Sequence, residues 1–516
     1  MTATTLSADL AARISTARLP ARHTFLDGRL VDGTGDPMTT LYPGDGSTLA
    51  QVSATAPSLI EEAVGGAVRA QPAWAATPPL ERAAVLRRAA DLLEASVDRL
   101  AHLVVLDNGK TWAEGRADVM VAAALLRSSA SWATNLEGST LPLDGTAWKM
   151  TFREPVGVVA AIIPFNAPLM FSAQKAGPAL AAGNAIVLKA PEQSPLAPPV
   201  FAELMTEAGL PAGALQVVQG EAPAGQALLQ DRRVDLISFT GSSAVGRQVM
   251  AAAAAGPTRL LLELGGKSAN IVFADADLEA ALDGSLAGIF RNAGQRCFSG
   301  SRLLVQDAVA DEFIAELASR AARIPVGDPF DQRNRVGALI SRQEVTRVRG
   351  MVDQATRTGA RLVTGGDRPP GVHPGGAFLQ PTIVEVPADR AADVDLVCEE
   401  VFGPVLAVQR FGDDAEAVRL ANDSSYGLAG GCWTRDIARA VETARAIRTG
   451  YFWINSYGAL ALDAPVGGYK SSGFGRELGR VGHEEYTELK TVILESAPER
   501  RPPWLPADAT RDGGSR

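Results

Sequence analysis

Cysteine and histidine are scarce in this chain of 516 residues, which has three of the first and four of the second. Three thiols, Cys297, Cys398 and Cys432, make a disulfide framework improbable and agree with a reducing cytoplasm, and their wide spacing suits no zinc site. The histidines, His23, His102, His373 and His483, lie far in sequence from every chemistry-bearing stretch and read as surface or packing residues. No apolar run approaches ~20 residues without a charge or a turn signal, which argues against a membrane-spanning helix. The first twenty residues carry arginines but no continuous apolar segment, so a secretory signal is not supported. Basic charge is short as well: the net charge is -9 and the pI about 5.2, which argues against a general nucleic-acid surface.

With 46% hydrophobic and 21% charged residues, the chain can fill two or three globular cores. Residues 23–35 (HTFLDGRLVDGTG) predict a hairpin with turns at Asp27-Gly28 and Asp32-Gly33. The period then becomes helical, over 59–73, 79–95 and onward to Trp132, with Asp107-Asn108-Gly109 as a helix stop. Ser139–Arg153 alternates like paired strands around Asp144-Gly145, either an arm for another subunit or a surface hairpin. Residues 156–219 alternate strand and helix, the βαβαβ rhythm of a parallel sheet wrapped by helices. The strand at 236–239 runs into TGSSAVG, Thr240–Gly246, and then a helix. Free N–H groups there could hold a phosphate, but Gly241 and Gly246 lack a third glycine in register, so a plain Gly-bearing turn is the favoured reading of this stretch taken alone. After Gly266 the alternation starts again, which predicts a second α/β domain and a cleft between the two.

The stretch IFRNAGQRCFSGSR, Ile289–Arg302, sets Cys297 in a polar loop to which Gly294 and Gly300 lend freedom. Upstream, LLLELGGKSAN carries Glu263 at the end of an apolar strand, where burial raises a carboxyl pKa. A thiol in such a loop and a carboxylate in such a place suggest a covalent nucleophile and a general base. A free thiol has a pKa of about 8.5, so the reading calls for a site that favours the thiolate.

Taken together, PFNAPL (Pro164–Leu169), GPALAAGNAIVLKAPE (Gly177–Glu192), SFTGSSAVGR, LELGGKS, GQRCFSGSR, EEVFGPV (Glu399–Val405) and GGYKSSGFGRELG resemble the aldehyde dehydrogenase superfamily, in order and spacing, from about Phe25 to Glu495. The resemblance implies an α/β fold: a Rossmann-like cofactor domain (21–138 and 154–262), an α/β catalytic domain (263–479), and a small β bridging or oligomerisation arm (139–153 and 480–496), with flexible termini at 1–20 and 497–516. It implies oxidation of an aldehyde through a thiohemiacetal and a thioester on Cys297, with the Asn166 amide and the Cys297 N–H as oxyanion hole and Glu263 activating the hydrolytic water. Relatives that pass the acyl group to coenzyme A usually lack that glutamate, so hydrolysis is favoured; a non-catalytic scaffold would tend to have lost Cys297, Asn166 or Glu263.

For the cofactor, the resemblance puts Lys189 and Glu192 on the adenosine ribose, Gly241 and Ser242 on the pyrophosphate, and Glu400 and Phe402 at the nicotinamide end, with Pro164, Phe165 and Gly265 beside them. A carboxylate at the ribose repels a 2′-phosphate, so NAD is favoured over NADP. No metal is implied, and a homodimer or homotetramer is. Gln174 stands where succinic-semialdehyde relatives frequently carry an arginine to hold the substrate carboxylate, which speaks against that substrate. Ala167, Leu460 and Val466, with Phe171 and Phe298 near the wall, predict a wide, aliphatic, weakly polar tunnel for an uncharged aldehyde. Arg296, next to Cys297, either binds an anion or points into solvent, and the solvent reading is favoured.

Overall fold

Five short runs of Val, Ile, Leu and Ala, buried on both faces, form the centre of the first sheet, as parallel strands wrapped by helices must be. The computed structural model describes residues 8–142 and 147–495. Across this eight-stranded sheet the order is Arg29–Val31, Thr24–Leu26, Leu215–Val218, Ala185–Lys189, Val158–Ile162, Leu236–Thr240, Arg259–Glu263 and Gly473–Phe474. The five central strands are parallel and both edges are antiparallel. Strand order reverses between Val158–Ile162 and Leu236–Thr240. Loops leaving neighbouring strands diverge at such a switch point and open a crevice beyond their carboxyl ends. The residues that follow these two strands are Pro164–Asn166 and Gly241-Ser242.

The second sheet has seven strands, in the order Arg361–Thr364, Thr382–Glu385, Val405–Phe411, Arg302–Gln306, Ala269–Val272, Ala429–Trp433 and Tyr451–Ile454. All its pairs are parallel except the first. The loop holding Cys297 enters the amino end of Arg302–Gln306, and Gly265–Ser268 enters the amino end of Ala269–Val272. The carboxyl end of one sheet therefore faces the amino end of the other. Gly473–Phe474 belongs to the far side of position 263, yet it lies antiparallel on Leu262 and Glu263 of the first sheet, so a split of the chain at residue 263 is not clean. The reason is Gly473, whose φ of +110° lets it pass against the Leu262 carbonyl.

Four helices, Pro57–Ala76, Pro79–Ala95, Val97–Asn108 and Trp112–Trp132, follow the expected period. Gly109 ends the third in the left-handed region, and Thr111 with Glu114 caps the fourth through a capping box. Asp27 and Gly28 take positive φ in a tight hairpin turn. The second expected turn leads elsewhere: Thr34–Leu41 pairs with Thr48–Thr55.

Residues 8–17 are not a flexible arm. Ala8–Ala17 is a helix that buries Leu10 and Ala17 and ties Arg13 to both Asp328 oxygens, at 3.1 and 2.9 Å. Its apolar stripe is too short to stand out by period, but it covers the helix Val97–Asn108. Residues 1–7 and 497–516 lie outside the described residues. Ser139 and Leu141 bond to Thr151 and Lys149 across the expected hairpin, whose tip, Asp144-Gly145, also lies outside them. Ala147–Pro155 pairs over nine residues with Thr487–Glu495, forming a two-stranded ribbon. Among the described residues, no helix is long and apolar enough to cross a membrane.

Candidate active site

Two cavities meet where the sheets face each other. One, of about 830 Å³, runs over the switch point of the first sheet. The other, of about 320 Å³, opens on the opposite side. Asn166, Glu263 and Cys297, together with Phe171 and Thr240, line both. The three residues with expected chemical roles thus stand at the junction. Three buried polar atoms without a hydrogen-bond partner among the described residues also gather there: Asn166 Oδ1, Thr240 Oγ1 and Glu263 Oε1. Unpaired buried polar groups cost ~1–3 kcal/mol each and mark places where a ligand or water is received.

The Cys297 loop owes its shape to an unusual backbone. Asn292, Ala293 and Gly294 all have positive φ, and a β-carbon on Gly294 would lie 2.0 Å from the Gly403 carbonyl oxygen. Gly300 is needed for space and not for its φ, because a β-carbon there would meet the Tyr457 ring. Gln295 locks the turn, its Oε1 accepting from the Ile340 N–H at 2.9 Å. Asn166 Nδ2 donates to the Gln295 carbonyl at 2.8 Å, which ties the strand-end loop of the first sheet to the turn before Cys297. The second N–H of that amide is free for an oxygen in the junction.

Cys297 is half-buried, and its thiol is not in the thiolate-favouring site expected. Burial, then the carboxyls of Glu400 and Glu263, push it up to about 12, while the Arg296 guanidinium and the Phe298 N–H pull the other way. Burial also holds the Glu263 carboxyl well above its ordinary range, reinforced by Glu477 and opposed by Lys175 and Arg476. Lys175 and Glu477 form a buried ion pair close behind it, with Gln174 donating to the same carboxylate. Glu263 does not pair with Lys267: among the described residues Lys267 Nζ is buried without a hydrogen-bond partner, and burial drives its pKa down to about 7.

Pro164, Phe165, Lys189, Glu192, Gly241, Ser242, Gly265, Glu400 and Phe402, scattered over some 240 positions of the sequence, all line the larger cavity. Lys189 Nζ lies 2.7 Å from Glu192 Oε2, so the acid and the base share one end of the groove. Ser242 caps the helix Ser243–Ala253, accepting from Val245 N–H at 3.3 Å, and that amino terminus favours an anion. Gly225, Leu229, Val245 and Val249 add an apolar wall. At the other end Glu400 Oε1 accepts from the Gly266 N–H at 3.0 Å, and burial raises its pKa to about 7. Phe402, at φ +51°, packs edge-on against Phe165 with centroids 5.7 Å apart. An elongated groove with an acid and a base at one end, an anion-favouring helix start and a carboxylate at the other fits a dinucleotide.

Four residues that sequence reasoning passed over complete the smaller cavity. Lys110 Nζ donates to the Asn166 carbonyl at 2.9 Å and pairs with buried Asp118 at 3.9 Å. Glu114 Oε1 accepts from the Asn292 N–H at 2.6 Å, and Glu477 has the ion pair just described. Their signal was a Lys-Thr-x-x-Glu run opening a helix, readable as a cap but not as part of a site. The cavity is also less aliphatic than expected: Tyr451, Trp453, Arg291 and Arg296 line it beside Leu460 and Val466. Arg296 faces this cavity and not the solvent, held by the Gly458 carbonyl at 3.4 Å.

A dinucleotide-sized groove ending at a cysteine in a second chamber is the layout of an oxidoreductase with a covalent step. The sequence model of the aldehyde dehydrogenase family matches residues 30–492, and the chain belongs to that family. It is 43% identical over 485 residues to a betaine aldehyde dehydrogenase of Cereibacter sphaeroides, which covers 94% of this chain and 99% of that one. The structure of a putative aldehyde dehydrogenase from Burkholderia cenocepacia superposes with a TM-score of 0.90 at 42% identity, covering 93% of this chain and 99% of that one. PnpE in complex with nicotinamide adenine dinucleotide superposes with a TM-score of 0.91 at 40% identity, over 94% and 100% of the two chains. The fold is thus a Rossmann-like cofactor domain with a catalytic domain, and the cofactor is NAD.

Proposed function

We propose that the enzyme oxidises an aldehyde to the free carboxylic acid through a covalent thioester on Cys297. The observation that carries this reading is the shared position of Asn166, Glu263 and Cys297 between two cavities. Loss of the thiol proton to water lets Sγ add to the carbonyl carbon; a C–S bond forms as the carbonyl π pair moves onto oxygen. The Asn166 amide and the Cys297 N–H hold that oxygen. NAD bound in the larger cavity would supply a hydride acceptor there, and the C=O bond of the thioester re-forms as this carbon gives up its hydride. Glu263 then removes a proton from water, the resulting hydroxide attacks the thioester carbon, and the C–S bond breaks to release the acid. Lys189 and Glu192 hold the adenosine ribose, Ser242 with Gly241 the pyrophosphate, and Glu400 and Phe402, with Pro164, Phe165 and Gly265, the nicotinamide end.

The exposed Trp148, Phe152, Leu489 and Ile493 on the ribbon support a homo-oligomer assembled through it; sedimentation as a monomer at micromolar concentration would overturn that part. The test of the reaction follows NADH absorbance over an aldehyde panel with the acid product quantified. NADH and free acid in equal amounts, both abolished in Cys297→Ala, are expected. Acyl-coenzyme A as product would favour thiol transfer instead, and activity persisting in Cys297→Ala would remove the covalent step.

A further inference from the structure

Arg296 directly precedes Cys297, and its side chain reaches into the chamber of about 320 Å³ on the substrate side. Its hydrogen bond there is to a neutral carbonyl, that of Gly458, and no carboxylate pairs with it among the described residues. Arg291, exposed at the mouth of the same chamber, has no carboxylate partner among those residues either. A guanidinium stays protonated even where burial and a like charge oppose it, as burial and then Arg291 do for Arg296.

The carboxylates facing this chamber are committed elsewhere. Asp118 is paired with Lys110 and Glu477 with Lys175. Both oxygens of Glu114 are taken, one by the Thr111 N–H and hydroxyl and the other by the Asn292 N–H. Burial favours the neutral form of Glu263. Glu114, held by neutral donors, keeps its charge and acts on Arg296, so two guanidiniums outside any ion pair face one carboxylate and leave the wall next to the nucleophile with an excess of positive charge.

We infer that Arg296 and Arg291 form an anion subsite, and that the preferred aldehyde carries a carboxylate at the end of its chain. This rests on the aldehyde oxidation proposed above and specifies its substrate class. A guanidinium presents paired N–H donors that match the two oxygens of a carboxylate. Met170, Phe171, Leu460 and Val466 offer apolar wall for the methylenes between the two ends. Gln174, on the opposite wall, is engaged with Glu477 and is not needed to hold the acid. The aromatic group of Phe298, Tyr451 and Trp453, with centroids 4.9 to 6.3 Å apart, would attract a quaternary ammonium in a neutral chamber. Here the same space faces two guanidiniums outside any ion pair, against the single charge of Glu114, and that excess disfavours a cationic aldehyde.

The test compares kcat/KM for succinic and adipic semialdehydes, butanal and betaine aldehyde with NAD. At least one semialdehyde is expected to exceed butanal and betaine aldehyde roughly tenfold or more. Arg296→Gln is expected to lower that advantage, read as the ratio of semialdehyde to butanal kcat/KM, roughly 10- to 100-fold, chiefly through the KM for the semialdehyde; the loss of the guanidinium beside Cys297 acts on both substrates and cancels in the ratio, and Arg296→Lys recovers part of it. Arg291→Gln, at the exposed mouth, gives a smaller loss and serves if the first variant does not fold. A wild type that oxidises butanal or betaine aldehyde at least as well as both semialdehydes overturns the subsite while leaving aldehyde oxidation intact. Failure to oxidise any of the four removes the reaction proposed above. In that case protection of Cys297 from iodoacetamide still decides the subsite: succinate or adipate protecting better than butyramide supports it, and equal protection overturns it.

Discussion

A β-carbon placed on Gly266 would lie 2.5 Å from the carbonyl oxygen of Cys297. The loop that leaves Glu263 and the loop that carries Cys297 are therefore in backbone contact, and any side chain at 266 must move one of them. Gly266→Ala is expected to lower kcat roughly 10²-fold, the usual effect of displacing a reacting group by about an ångström. Stopped-flow absorbance checks it, because the fast NADH phase should slow along with the steady state.

Glu263→Gln should separate the two halves of the reaction. Steady-state turnover is expected to fall ~10²- to 10⁴-fold, the range for loss of a general base, while one NADH per active site still appears in the first turnover. The pH sign follows from the raised carboxyl pKa. A base works ionised, so the wild-type hydrolytic rate should climb with pH through a range well above that of an ordinary carboxylate. The variant should lose that limb.

The buried Lys175–Glu477 pair offers opposite shifts of the same limb. Glu477 raises the Glu263 pKa and Lys175 lowers it. Glu477→Gln should therefore move the acid limb of the rate profile to lower pH, and Lys175→Met should move it higher. Each variant strands a partner in a buried place, so a loss of about 3–5 kcal/mol in folding stability is also expected, measurable by denaturant unfolding.

Lys267 should show its cost in stability. Its folded pKa is lowered to about 7 from an ordinary value of 10.5, so the unfolded chain binds the proton more tightly. The cost is absent above the unfolded value and grows as pH falls toward the folded one. Lys267→Met is expected to raise the melting temperature more at about pH 6.5 than at about pH 10, by differential scanning calorimetry.

Much of this architecture is legible from residue patterns, because buried parallel strands announce themselves as apolar runs and helices by their period. Ala185–Lys189 and Leu215–Val218 stand close to where those runs end. The site was legible at the residues whose chemistry is local, such as Cys297 in its polar loop and Glu263 after three leucines. What escaped depends on distant partners. Nothing near Arg296 in sequence says which way it points; Gly458 and the chamber wall decide that. Cys297 looks exposed and reactive in its glycine-rich loop, but burial and two carboxyls brought from positions 263 and 400 raise its pKa. The helix Ala8–Ala17 was missed because its few apolar residues gain meaning only from the helix they cover.

Gly473–Phe474 has a consequence for the order in which this chain matures. The strand Arg259–Glu263 is the outermost parallel strand of its sheet until a segment more than two hundred residues later covers it. During synthesis on the ribosome, seven strands of that sheet can assemble while Leu261 and Leu262 still present an unpaired edge, the kind of surface that recruits wrong partners. The Glu263 carboxyl at the end of that strand reaches its final surroundings only after the whole second sheet has been made. Catalytic competence should thus be among the last properties a nascent chain acquires.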